Sequence, residues 1–321
     1  MLHTSDAFVT CPRHVGEPLV RNGESWGCRN ANCAYSLRMG GFQTYLGIPV
    51  LIDFSSDTLC RSEAYVEVSP QQKFYLSRYS NKFARLIRRI VGGSNKLTIA
   101  NCERFILELK KGSHSPRVLI IGSGEMGQGT DILWADNSVQ RVGIDIYPSE
   151  TTTFVADAHQ LPFLEGSFDG VWIQAVLEHV AEPLRVAAEI DRVLKDGGIV
   201  YSETPFMQQV HEGAYDFQRF TVTGHRFLFR RFETLAIGGL GGPGVVLAWA
   251  IRYFIWGLFR NRSLATIVFY SFLLWLRFFD RATDQRALWD GPSGTFFLGR
   301  KNDANFLTQR ALPTLYRGFQ V

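Results

Sequence analysis

Uninterrupted apolar runs of the ~20 residues that a membrane-spanning helix needs are missing from this chain, and so are internal repeats. Nor is one sign of charge in clear excess: 34 Lys and Arg stand against 30 Asp and Glu, a formal net charge of +4. So small a surplus does not by itself imply nucleic acid, since an ordinary solvated basic face accounts for it. The basic residues do cluster, between Lys73 and Lys96 and again from Arg252 to Arg281. The first ten residues lack the charged-then-apolar pattern of a secretory signal. Cysteine is scarce and odd in number, five in all, with three of them inside the first 33 residues. The expected compartment is therefore reducing and cytoplasmic, and the cysteine cluster reads as metal-binding rather than disulfide-linked.

What is present is a globular composition, 46% hydrophobic and 20% charged over 321 residues, enough for one large domain or two modest ones. Residues 8–54 are rich in Cys, Gly and Asn and end in a strand-like run, Gly47 to Phe54. Phe74, Leu76, Tyr79, Phe83, Leu86 and Ile90 recur near a helical period, and Gly92 to Ser94 interrupts them. From Arg117 to Ile237 short apolar runs alternate with helical stretches such as Pro183 to Leu194. That alternation predicts an α/β fold, a parallel sheet with helices on both faces. The expected boundaries are a metal-binding module over 1–60, a helical linker or cap over 61–114, and a catalytic domain over 115–310.

Gly122-Ser123-Gly124 and Gly127 follow the first strand of that domain and are expected to open a helix, and Asp145 ends the next strand. Glycines let the backbone approach a ligand where a side chain would block it, and a carboxylate at the second strand end can accept both hydroxyls of a ribose. This pattern by itself fits a dinucleotide fold equally well.

The residues that follow decide the matter. Ala156-Asp157-Ala158-His159-Gln160-Leu161-Pro162-Phe163, then Ser167 to Ile173 with Val176-Leu-Glu-His-Val180, then Arg192 to Val200, stand in order. Together with the glycine loop they resemble the class I S-adenosylmethionine (SAM)-dependent methyltransferases, in the subgroup similar to ubiquinone-biosynthesis enzymes. The resemblance covers residues 117–237 and, less closely, 294–301. It implies a Rossmann-like seven-stranded sheet, SAM as cofactor, and Asp157 on the adenine amino group. Gly122, Ser123, Gly124, Asp145, Ile146, Ala158 and Gln174 complete the implied cofactor site. The family carries an acid two residues before the first glycine, and this chain has Ile120 there. A nicotinamide-dependent oxidoreductase does not fit the motifs after Asp145.

Methyl transfer from a sulfonium needs a positioned nucleophile and, for a poorly acidic hydroxyl, a base. His211 is the expected base, with Tyr215, Asp216 and Arg219 orienting it or the acceptor; the same residues also suit a brace for the loop. His179 is expected on the helix after the fourth strand, facing the site or packing on the SAM side. His159 and His225 read as structural or surface residues.

Cys11, His14, Cys28 and Cys33 give the spacing C-x2-H-x13-C-x4-C, two short knuckles that satisfy a tetrahedral zinc site. The segment resembles the zinc ribbons of tRNA-methyltransferase activator proteins, which also run into a Gly-Ile-Pro-Val-Leu strand. It departs from them in His14 and in the longer second knuckle. Such a zinc is structural.

Residues 243–290 interrupt the catalytic domain with two aromatic-rich apolar stretches, Val245 to Phe259 and Ser263 to Leu276, broken or flanked by Arg252 and Arg277. The insert is expected beside the acceptor entrance as a lid, a homodimer face, or an interfacial helix lying peripherally on the cytoplasmic face of a membrane through 243–281. The expected activity is methylation, at oxygen, of a small-molecule, glycan or lipid-linked acceptor. The alternatives are an rRNA or tRNA methyltransferase using Lys82, Arg85, Arg88 and Arg89 on phosphates, and a non-catalytic SAM-binding scaffold.

Overall fold

The computed structural model describes residues 7–66, 96–302, 304 and 306–320. The expected helix through Phe74 to Ile90, its Gly92–Ser94 break and the Lys82–Arg89 phosphate contacts lie outside the described residues.

The N-terminal module is built from three small antiparallel pairs. β1 (Thr10–Cys11) pairs with β2 (His14–Pro18), β3 (Val20–Asn22) with β4 (Ser25–Gly27), and β5 (Thr44–Tyr45) with β6 (Ile48–Pro49). Leu46 and Gly47 both take positive φ, +51° and +80°, which is the turn that a two-residue hairpin between β5 and β6 requires. The strand expected over 47–54 is therefore shorter, Ile48–Pro49, but the chain stays extended beyond it. Val50 bridges Val155, and the Leu51 N–H donates to the Val155 carbonyl at 2.8 Å. The module thus covers an edge of the main sheet, which would otherwise present unpaired backbone groups.

That sheet has seven strands: β7 (Arg117–Ile121), β8 (Gln140–Asp145), β9 (Phe154–Val155), β10 (Phe168–Gln174), β11 (Leu194–Pro205), β12 (Phe232–Leu240) and β13 (Gly294–Lys301), in the order β12-β13-β11-β10-β7-β8-β9. β13 alone runs antiparallel, between β11 and β12. Val118, Leu119, Ile120 and Ile121 are all buried, so β7 reads as a continuous apolar run instead of alternating, as a strand covered on both faces should. On one face, α1 (Lys96–Gly112) lays Phe105 edge-on against Trp172 at 5.3 Å, and Gly170 lets it approach, since a side chain there would strike Phe105 and Leu109. A short helix α2 (Asp131–Ala135) follows the glycine loop. On the other face, α3 (Pro183–Val193) buries Val186, Ile190 and Val193 in a core that Phe8, Trp26 and Phe42 of the module share with Phe154, Phe163 and Phe168. α4 (Val222–Leu228) packs on β13, with its N-terminus capped by the Thr221 hydroxyl.

Between β12 and β13 stands an apolar hairpin, α5 (Pro243–Phe259) and α6 (Arg262–Phe279), followed by the single turn α7 (Ala287–Asp290). Asp280 closes its base by accepting from the N–H groups of Gly244 and Val245, at 2.7 and 3.0 Å. The two helices meet through Ala248 and Phe269. Phe254, Leu258, Ile267 and Trp275 remain exposed. No helix among the described residues is long and apolar enough to cross a membrane.

Candidate active site and metal centre

The carboxyl ends of β7, β8, β10 and β11 meet at one edge, where ligands of such sheets sit. After β7 the chain turns at Gly122, whose φ of +80° and contact with Val176 leave no room for a side chain. Gly124 turns its N–H onto Asp145 Oδ2 at 2.8 Å, and Tyr147 N–H reaches Oδ1 at 3.1 Å. Burial raises the Asp145 pKa, and these backbone donors partly offset the rise. Ser123 contributes backbone only, because its hydroxyl is buried against Thr152. The helix expected to open at this loop starts only at Asp131, since Gly127 and Gly129 (φ +82°) keep the intervening turn irregular.

Asp157 and Ala158 follow β9 and are buried. Burial pushes Asp157 up, but hydrogen bonds from His159 (2.7 Å) and the Thr58 hydroxyl (2.5 Å) outweigh it and hold the carboxyl below its usual range. His159 thus has a definite place, bridging Asp157 and the N–H of Glu182. The tail of the N-terminal module crosses this side of the site, where the Tyr65 hydroxyl donates to the carbonyl of half-exposed Ile146 at 2.9 Å. Nothing in the sequence marked Thr58 or Tyr65. Gln174, at the end of β10, donates to the Gln128 carbonyl and to Glu203 Oε1, both at 3.2 Å. Glu203 also accepts from Tyr201 (2.7 Å) and Thr98 (2.9 Å), and burial raises its pKa. No local sequence signal distinguishes this acid at the end of β11 from its neighbours.

A second cluster lies where β10 and β11 end. His179 is on a single 3-10 turn, Leu177–His179, rather than on a helix, because Ala175 takes a φ of +55° and breaks the chain's direction just before it. Its Nδ1 is 2.7 Å from the Tyr215 carbonyl. His211 Nδ1 lies 3.2 Å from Asp216 Oδ2, and Arg219 grips that same oxygen at 2.7 Å. Hydrogen bonding from Arg219 holds Asp216 at a pKa of about 2, while burial lowers that of His211. Burial thus favours the neutral imidazole of His211, which the ionised Asp216 carboxylate orients. Glu178, wholly buried, points Oε1 at both rings, 3.6 Å from His179 Nε2 and 4.0 Å from His211 Nε2. Burial pushes Glu178 up to about 6. Tyr215 meets this cluster through its backbone, and its side chain is exposed. His225 is far from a surface residue: it is buried between Ser202 and Thr295.

The ligand atoms of Cys11, His14, Cys28 and Cys33 lie within 4.8 Å of one another. Cys11 and Cys33 Sγ are 3.9 Å apart, close to the ~3.8 Å edge of a zinc–thiolate tetrahedron, and Cys28 Sγ is 3.3 Å from His14 Nδ1. Burial pushes the Cys11 thiol up to about 12, so that sulfur ionises only against a cation. The set fits zinc.

Residues 119–202 match the family described as a methyltransferase domain. No curated protein matches the chain. Among solved structures the chain is similar to a phosphoethanolamine N-methyltransferase 2 of Haemonchus contortus in complex with SAM, at 17% identity and a TM-score of 0.44, over 74% of this chain and 61% of that one. It is similar to a SAM-dependent methyltransferase from Archaeoglobus fulgidus, at 17% identity and a TM-score of 0.42, over 68% of this chain and 100% of that one. A complex of the Haloferax volcanii Trm112 methyltransferase activator with a methyltransferase matches at 18% identity and a TM-score of 0.39, over 64% of this chain and 93% of the other.

Proposed function

Because residues 119–202 make the chain a SAM-dependent methyltransferase, we propose that its acceptor is an oxygen of a small-molecule, glycan or lipid-linked substrate. The observation that supports this reading is the Glu178–His179–His211–Asp216 cluster at the strand ends beside the glycine loop. A sulfonium donor needs no help in leaving, so such a cluster is of use where the acceptor must lose a proton, as a hydroxyl must. Asp145 would take the ribose and Asp157 the adenine. Glu203 would meet the ammonium of the methionine end, which Ile120 cannot serve, and Glu203→Gln should then raise the SAM Kd at least tenfold.

The Cys11–His14–Cys28–Cys33 set would hold a structural zinc that shapes the module covering β9. The hairpin belongs to the acceptor side, because the Tyr253 hydroxyl of α5 donates to the Val210 carbonyl, next to His211, at 2.9 Å. Its exposed Phe254, Leu258, Ile267 and Trp275, with Arg260 and Arg262 at the tip, suit peripheral contact with an anionic membrane surface and a lipid-linked acceptor. The deciding measurement is transfer of label from methyl-labelled SAM to a panel of free sugars, polyprenyl-phosphate-linked sugars and RNA. Labelling of RNA alone would overturn the reading.

A further inference from the structure

We infer that Glu178, His179 and His211 bind a divalent cation that receives the acceptor oxygen. The inference rests on the reading that this cluster faces the acceptor. One ligand atom from each residue lies within 4.8 Å of the other two, and Glu178 Oε1 faces the Nε2 atoms of both His179 and His211. Each residue can offer a lone pair to an ion. The Tyr215 carbonyl opposite His179 Nδ1 can only accept, so that nitrogen carries a proton and the neutral ring keeps its lone pair at Nε2. The Asp216 carboxylate sets the same tautomer in His211. Glu178 Oε2 accepts from Thr204, but Oε1 is fully buried and no donor among the described residues reaches it. A buried carboxylate oxygen facing two imidazole lone pairs is unfavourable unless a positive centre stands between them.

The surroundings are those of metal ligands. Each imidazole is held from behind by a carbonyl or a carboxylate, an arrangement that fixes ring orientation and raises basicity. Atoms bound at ~2.1 Å lie ~3 Å apart when adjacent and ~4.2 Å when opposed, so the 3.6 and 4.0 Å separations contract onto an ion with small side-chain movements. Two imidazoles and one carboxylate suit Mn2+, Fe2+ or Co2+ and leave positions open for substrate oxygens, whereas the sulfur-rich set at Cys11 selects zinc. A hydroxyl bound to the ion is acidified and releases its proton to water on the exposed side of His211. The oxygen then forms its bond to the methyl carbon as the S–CH3 bond breaks, and that electron pair returns to sulfur. His211 serves as a ligand in this arrangement, not as the base.

The test uses the full chain carrying one zinc by elemental analysis, titrated with Mn2+ and followed by the electron paramagnetic resonance of the free ion. One saturable Mn2+ per chain is expected with the zinc count unchanged. Affinity should fall tenfold or more in His211→Ala and in Glu178→Gln, while calorimetry gives an unaltered SAM Kd, which shows that the variants fold. Absence of saturable Mn2+ in a wild-type protein that binds SAM overturns the cation. If His211→Ala then still abolishes labelling, the base reading of His211 stands in its place. Failure of the wild type to bind SAM at all is a failure of the methyl-transfer reading instead.

Discussion

Thr58 donates its hydroxyl to Asp157 Oδ2 at 2.5 Å, across 99 residues of sequence. The bond ties the tail of the N-terminal module to the carboxylate proposed to receive adenine, and His159 holds the other oxygen at 2.7 Å. Asp157→Asn should weaken SAM binding at least tenfold, because an amide presents the adenine amino group with a donor in place of one acceptor. Thr58→Val should weaken it only about threefold, through loss of orientation. Calorimetry separates the two, and tighter binding by Thr58→Val would show that Thr58 competes with the cofactor rather than supporting its site.

Asp145 tests the ribose assignment. Its oxygens already accept from Gly124 and Tyr147, so Asp145→Ala removes both a ligand acceptor and the brace of the glycine turn. A loss of about 2–3 kcal/mol in SAM binding is expected for a buried hydrogen-bonded charge. An unaltered Kd would remove Asp145 from the site.

The parts of the molecule legible in the sequence are those whose signal is local. Gly122 and Asp145 stand at the ends of apolar runs, and the four candidate metal ligands form two short knuckles. Glu203 carries no local signal, because its surroundings depend on register: β10 and β11 pair Gln174 with Glu203 side by side, a relation between distant segments. Thr58 and Tyr65 depend in the same way on how the module docks against β9. The helix expected at the glycine loop failed for a local reason that was visible, the further glycines at 127 and 129.

Zinc content is the next measurement. About one zinc per chain is expected, and the Cys28→Ser variant should lose it. Because Phe8, Trp26 and Phe42 share a core with Phe154 and Phe163, chelation should lower the melting temperature of the whole chain rather than unfold a separate module. Zinc-free protein with unaltered melting would leave those cysteines as core residues only.

His225 sets a pH dependence of stability. Burial pushes its pKa down to about 3, below the ~6.5 of an unfolded imidazole. A depressed folded pKa means that the unfolded chain binds the proton first. Its stabilising contribution is complete above ~6.5 and is lost as pH falls toward 3. Urea denaturation between pH 7 and 4 should therefore show a steeper decline for the wild type than for His225→Gln, which cannot titrate. Parallel curves would mean that the imidazole is protonated in place.

The hairpin can be removed to ask where the acceptor enters. Asp280 caps Gly244 and Val245, so the two ends of the hairpin already meet, and a short Gly/Ser bridge can replace Pro243–Asp280 without straining β12 or β13. The proposed cofactor residues lie on β7 to β11 and in the module, and the α5–α6 contact is largely internal to the hairpin, so SAM affinity should stay within about twofold. Acceptor methylation should collapse, because Tyr253 no longer supports the loop that carries His211. The intact protein should also sediment with anionic vesicles, through its exposed aromatic residues and Arg260, Arg262 and Arg281, in a salt-sensitive manner that the deletion lacks. If the deletion variant binds SAM and methylates its acceptor at the full rate, the hairpin is no part of the acceptor entrance. The substrate must then approach His211 from the open side of the 206–216 loop.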